Sequence, residues 1–155
     1  MARPISKQEI YRLCEVYSLL LDIQSVRKIK ESITLLCEIN DYTINASINK
    51  YNHIYISRKL LDKDVFSDLD IISILAHELG HYRLKHLYTT KGDLDLYMKQ
   101  EFDADLYSMI TLVNMKLNPK ALLNVIVKYF PNQLERIIIA KSNLAKLESL
   151  YSCNT

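Results

Sequence analysis

The 155-residue sequence predicts an α+β fold, mostly helical, with one small antiparallel sheet. Three observations lead there. The chain has only 2 glycines and 3 prolines, too few turn-formers for an all-β fold. Long stretches repeat apolar residues at helical spacing. One region, 42–57, instead alternates β-branched and aromatic residues with polar ones. At this length a single domain spanning 1–155 buries a core without disulfides.

Taken in order, Ser6 and Glu9 have the spacing of a capping box, and Ile10, Leu13, Cys14, Tyr17, Leu20 and Leu21 follow with helical periodicity to about Ile23. The stretch from Ser25 to about Leu35 reads as a second helix, while Ile33–Ile39 reads equally well as a strand. Tyr42–Ile48 and His53–Ser57 read as strands, and Asn49-Lys50-Tyr51-Asn52 between them as a hairpin loop. Ser67 caps a helix expected to run to Leu87, with Asp68 and Asp70 in its first turn and Ile71, Ile72, Leu75, Leu79 and Leu87 on its apolar positions. A loop at Thr89–Asp93 leads to a helix over Leu94–Met115. Pro119 opens another, Pro119–Tyr129, and Pro131 separates it from a last helix over Asn132–Leu150.

Composition narrows the function classes. The 49% hydrophobic and 25% charged fractions are those of a soluble globular protein. Net charge is +2, and the early basic residues Arg3, Lys7, Arg12, Arg27, Lys28 and Lys30 alternate with apolar and acidic ones, which reads as a solvated helix face and not a nucleic-acid patch. The 3 cysteines form no Cys-x-x-Cys pair, so a cysteine metal site is not expected and a reducing cytoplasm fits. Cys14 and Cys37 read as small buried hydrophobes. No signal peptide pattern and no apolar run long enough to span a bilayer is visible.

The chemistry concentrates in His77-Glu78-Leu79-Gly80-His81, an H-E-x-x-H pentad on a helix. Residues four apart share a helix face, so His77 and His81 offer two imidazole nitrogens to one metal ion, and Glu78 turns its carboxylate to a water beside that ion. Two neutral nitrogens, an open position and a base are what zinc-dependent hydrolysis uses. A third protein ligand is expected. Glu101 and Asp105 share a face of the next helix: returning antiparallel, it would bring Glu101 to the metal and Asp105 behind a zinc-bound histidine, fixing its tautomer. Ala104 permits close helix approach, and Asp103 points to solvent. His86 is expected to pack or cap at the helix end, His53 to be structural or at the cleft edge, and Tyr82 to pack.

With these residues in place, Ile44–Leu150 resembles the zinc peptidase family of the CAAX-prenyl endopeptidases and the heat-shock protease HtpX, and most closely its small soluble, single-domain gluzincin members. The matching features are Asn45-Ala46 before an edge strand, Ile54-Tyr55-Ile56-Ser57 followed by Leu60-Leu61, Ala76 to His81 with His86 five residues on, Glu101 to Asp105 as Glu-x-x-Ala-Asp, and Pro131, Arg136 and Ile137. The resemblance implies a zincin-like fold, Glu101 as third zinc ligand and Asp105 behind a ligand. It departs from the family at Phe130, where members carry a histidine that helps stabilise the oxyanion. Arg136 or Tyr129 would take that role, or the enzyme is slow or latent. The membrane spans of the family are absent.

The expected activity is that of a soluble cytoplasmic zinc metalloendopeptidase acting on a peptide or protein. Zn2+ sits on His77, His81 and Glu101, and Glu78 takes the water proton and returns it to the leaving amine. The strand containing Ile54, Tyr55 and Ile56 is expected at the sheet edge, binding substrate by strand addition, with Asn45 holding a substrate backbone group. Two alternatives stand: a repressor-cleaving zincin of the ImmA type, and a catalytically weak or latent zinc-binding interaction protein. Neither substrate identity nor oligomeric state is legible.

Overall fold

The computed structural model describes residues 3–86 and 92–153, the last three as backbone only. Among the described residues five α-helices accompany a three-stranded mixed sheet: α1 (Lys7–Val26), β1 (Thr34–Glu38), β2 (Ala46–Ile48), β3 (His53–Ser57), a 3-10 turn (Arg58–Leu61), α2 (Asp68–Arg83), α3 (Leu94–Asn114), α4 (Lys120–Tyr129) and α5 (Leu134–Cys153). The α+β expectation holds. None of the described helices is long and apolar enough to cross a membrane.

Local chemistry accounts for the helix starts. Ser6 and Glu9 form the expected reciprocal capping box on α1, and Ser67 forms one on α2 with Asp70. Each satisfies two otherwise orphaned N–H groups, and losing the capping side chain costs about 1 kcal/mol. The α1 helix continues to Val26, after which Lys28 takes a left-handed φ of 56° and turns the chain into β1. The segment 25–35 is therefore not a helix, and the strand reading of 33–39 is the one realised.

The sheet differs from expectation in one decisive respect. Its order is β1-β3-β2, with β2 antiparallel to β3 through the 49–52 hairpin and β1 parallel to β3. Thr34 pairs with His53 and Glu38 with Ser57 on one side, while Ala46 pairs with Ile56 and Ile48 with Ile54 on the other. Thus β3 is the central strand. Ile54, Tyr55 and Ile56, expected at an open edge, have main chains committed on both sides, and Ile54 and Ile56 are fully buried in the core. Strand addition at β3 is excluded by this pairing. The edge running against α2 is β2.

One hydrophobic core joins α1, the sheet and the inner faces of α2, α3 and α4 around Phe66, Leu75, Leu79, Met109 and Leu122. The inward face of α1 is Arg12, Val16, Leu20, Ile23 and Gln24, so Ile10, Tyr17, Leu21 and Cys14 are exposed. Arg12 is no member of a solvated face: buried, it donates to the Phe66 carbonyl and pairs with Asp68 at the start of α2. Arg58 is a second buried cation. It donates to both Glu9 carboxylate oxygens and to the carbonyls of Arg3 and Pro4, fastening the chain start to the end of β3.

Packing of α2 on α3 positions the site. Gly80 and Ala104 meet at the contact: a Cβ on Gly80 would sit 3.0 Å from the Tyr107 Cβ and 3.2 Å from the Ala104 Cα. A buried Ser108 hydroxyl donates to the Ser73 carbonyl at 2.7 Å and fixes the sliding register of the two helices. Of the loop expected at 89–93, residues 89–91 lie outside the described residues, as does Leu87. The α2 helix ends at Arg83 instead of continuing to Leu87, with Lys85 at φ 56° reversing the chain.

Candidate metal centre

His77 and His81 occupy successive turns of α2 and turn toward α3, where Glu101 comes to meet them. The two Nε2 atoms are 3.1 Å apart, the Glu101 Oε2 is 3.3 Å from His77 Nε2, and its Oε1 is 3.1 Å from His81 Nε2. Bonds of about 2.0–2.2 Å to a tetrahedral zinc place donor atoms about 3.3 Å apart. The three side chains therefore fit one such ion, and they form the one His/Cys/Asp/Glu group among the described residues with metal-binding geometry.

Behind His77 lies a buried charged chain. Its Nδ1 is 2.8 Å from Asp105 Oδ1. Asp105 also receives Arg136 Nε at 2.7 Å and Nη2 at 2.8 Å, a two-pronged pair contributed by α5. With the Nδ1 proton given to Asp105, the His77 Nε2 lone pair is free to face a metal. Burial raises the Asp105 carboxyl, but hydrogen bonds from Arg136 and His77 outweigh it and hold its pKa below the usual value. Arg136 Nη1 donates to Gln133 at 3.0 Å and lies 3.8 Å from Glu101 Oε2.

The support behind His81 is of another kind. His86, brought back by the turn at Lys85, places its Nδ1 2.8 Å from the Nδ1 of His81. A His81 that presents Nε2 to a metal carries its proton on Nδ1, so His86 accepts with its own Nδ1. Burial and the charge of His81 both lower the His86 pKa, which favours that neutral acceptor. Sequence periodicity puts His86 on another face and gives no sign of this contact, because it depends on the chain reversal.

The charges around the two histidines call for a cation. Burial would lower the His77 pKa, but hydrogen bonds to Asp105 and Glu101 push it up to about 10. Burial would raise Glu101, but hydrogen bonds from His77 and His81 hold it well below the usual carboxylate range. Glu78 is buried beside them and its pKa is raised by desolvation, against the lowering effect of His77 and His81. A carboxyl raised in this way is suited to taking and returning a proton.

A cavity of about 330 Å³ opens beside the cluster. His77, Glu78, Tyr97, Glu101, Gln133 and Arg136 supply its polar wall, while Ile74, Leu122, Val125, Ile126 and Phe130 supply most of the apolar one. Asn45 and Ala46 border it from the sheet side. Asn45 has its main chain tied to Ser57. Ala46, next along the antiparallel strand, directs its N–H and C=O away from β3.

Four expected residues stand elsewhere. Ile54, Tyr55 and Ile56 are not in the cavity wall, and neither is Tyr129, whose ring stacks on buried Phe66 with centroids 5.0 Å apart. Tyr129 is thereby turned into the core and away from the role of oxyanion donor. Arg136 does reach the cavity, but its donors are engaged by Asp105 and Gln133. Phe130, the position at which the sequence departs from the resembled pattern, lies in the cavity wall. Tyr97, which no sequence pattern singles out, lines the cavity one turn before Glu101.

Residues 26–98 match the model of peptidase family M48. The matched stretch carries the sheet, all of α2 with His77, Glu78 and His81, and the first turn of α3; Glu101, Asp105 and Arg136 lie beyond it. No curated protein matches the chain. Over residues 26–98 the chain is thus similar to a family of metallopeptidases, and that similarity supports a metallopeptidase hydrolase.

Proposed function

We propose that the chain is a zinc-dependent metalloendopeptidase, a single zincin-type domain of the gluzincin pattern. The observation that carries this is the convergence of His77, His81 and Glu101 on a point that fits one tetrahedral ion, with the buried carboxyl of Glu78 adjoining it. A zinc ion held by these three residues supplies a Lewis acid that acidifies water and polarises a carbonyl.

The side chains divide the remaining work. Glu78 takes the proton of the attacking water and hands it to the leaving amine. Asp105, itself held by Arg136, keeps His77 in the tautomer that binds metal, and His86 does so for His81. An extended peptide lies along β2, exchanging main-chain hydrogen bonds at Ala46. The apolar end of the cavity takes one of its side chains.

Replacing Glu78 by Gln tests the reading directly. The variant is expected to retain one equivalent of zinc by metal analysis and to lose cleavage of an unstructured protein by at least about a hundredfold. Cleavage at the wild-type rate would remove Glu78 from the mechanism.

A second reading, a zinc-binding protein with weak or no catalysis, is favoured by one observation: Phe130 supplies no donor to the cavity, and Arg136 is engaged elsewhere. Stoichiometric zinc without cleavage in any full-length preparation would support it over the first.

A further inference from the structure

We propose that Tyr97 is a catalytic residue, donating its phenolic O–H to the oxygen of the scissile carbonyl as that oxygen becomes negative. The inference rests on the peptidase reading above and adds to it the donor that the reaction needs.

The reaction fixes what is needed. When the water oxygen bonds to the scissile carbon, the water proton passes to Glu78 and the C=O π pair moves onto the carbonyl oxygen. When the C–N bond breaks, the pair returns to reform C=O and the Glu78 proton goes to the amine nitrogen. Between these two events an oxygen in the cavity holds negative charge, and a fixed donor there lowers the barrier.

The cavity wall offers few donors, and several are engaged. His77 donates to Asp105. Asn45 borders the cavity from the sheet side, opposite the helices that carry Glu78 and Glu101. Arg136 directs Nε and Nη2 at Asp105 and Nη1 at Gln133. Glu78 and Glu101 are acceptors when ionised. That leaves the Ala46 N–H, which the substrate main chain takes in the reading above, the Asn45 amide on the sheet side, the Gln133 amide, whose carbonyl is already turned to Arg136, and the Tyr97 hydroxyl.

Of these Tyr97 is the best placed. It lies on α3 one turn before Glu101, on the face that Glu101 shares, and lines the cavity with Glu78 and Glu101. At 48% exposure its ring is open to a ligand. Its hydroxyl has no protein partner among the described residues. A phenol keeps its proton at neutral pH, so the hydroxyl can donate it.

The test uses the zinc-loaded full chain, an unstructured peptide substrate and a phosphonamidate analogue of that peptide, whose tetrahedral anion resembles the charged oxygen. Tyr97→Phe is expected to keep its zinc content and to hold KM within about twofold. Its kcat is expected to fall about a hundredfold. Affinity for the phosphonamidate should fall in parallel, while affinity for the uncleaved peptide, measured with Glu78→Gln alone and with Glu78→Gln plus Tyr97→Phe, should not change. A Tyr97→Phe enzyme with wild-type kcat, a loss confined to KM, or a loss that appears in Gln133→Ala and not in Tyr97→Phe each overturns the assignment while the peptidase reading stands. A wild-type protein that holds zinc yet cleaves nothing overturns both.

Discussion

The two histidines of α2 are chemically alike but are held in opposite ways. His77 is buried and backed by Asp105, which is itself clamped by Arg136 from α5, so its support is charged, enclosed and built from three helices. His81 is only partly buried, and its support is His86, one neutral ring on a turn just past the helix end. The difference separates two functions of a supporting residue. The Asp105 side sets tautomer and fold together, because removing any member strands a buried charge. The His86 side can set the tautomer alone.

The largest test of this contrast is Asp105→Ala. It leaves Arg136 buried without its carboxylate and His77 without its acceptor. A loss of about 3–5 kcal/mol in chemical unfolding is expected, together with zinc binding weakened about 10- to 100-fold. Equal stability to wild type would show that the charged chain carries no structural weight.

Next comes Gly80→Ala, which acts on both histidines at once. The added methyl meets the Ala104 backbone at 3.2 Å, so α3 must give way and take Glu101 with it. A stability loss of about 1–3 kcal/mol is expected, with weaker zinc binding in titrations. Unchanged zinc affinity would mean that the helix pair tolerates a shift without moving Glu101.

His86→Ala should be milder and selective. Zinc affinity is expected to fall about tenfold, with the metal-free melting temperature almost unchanged because His86 lies on the surface side. His86→Asn, whose amide oxygen can still accept, should recover part of the loss. A stability loss as large as that of Asp105→Ala would erase the distinction.

The Glu9–Arg58 pair supplies a reference far from the metal residues. Hydrogen bonding to Arg58 depresses the Glu9 carboxyl below its ordinary 4.5, against a smaller opposing effect of burial. A group with a depressed folded pKa stabilises above the unfolded value and ceases to do so as pH falls. The melting-temperature gap between the metal-free wild type and Glu9→Gln should therefore be widest near neutrality and close as the pH drops below about 4.5. A gap independent of pH would assign the effect to packing. Zinc binding at neutral pH should be the same in both.

What the sequence revealed follows the range of the interactions involved. His77, His81, Glu101 and Asp105 could be paired because each pair is set by spacing within one helix, and the Ser6 and Ser67 caps are equally local. The place of β3 was not legible: a strand becomes central only when β1, across the intervening β2, arrives parallel to it. The inward face of α1 was misread for the same reason. Its Arg12 is buried because Phe66 and Asp68 satisfy it, while the more apolar Ile10 and Leu21 meet no partner. Tyr129 looked like a site residue by proximity to Phe130, but the two neighbours on α4 diverge, one into the core and one into the cavity.

The Arg136–Asp105 clamp also bears on how the chain is made. Synthesis runs from α2 to α5, so His77 and Glu101 are both present before Arg136 leaves the ribosome. Until then Asp105 has His77 as its main counterpart, and burying it carries a desolvation cost that the guanidinium is not yet there to offset. The α2–α3 pair should accordingly stay loosely docked in the nascent chain and tighten when α5 folds back. Acquisition of a competent metal centre is thereby tied to the arrival of α5, and a chain interrupted before α5 is expected to bind zinc more weakly than the full one.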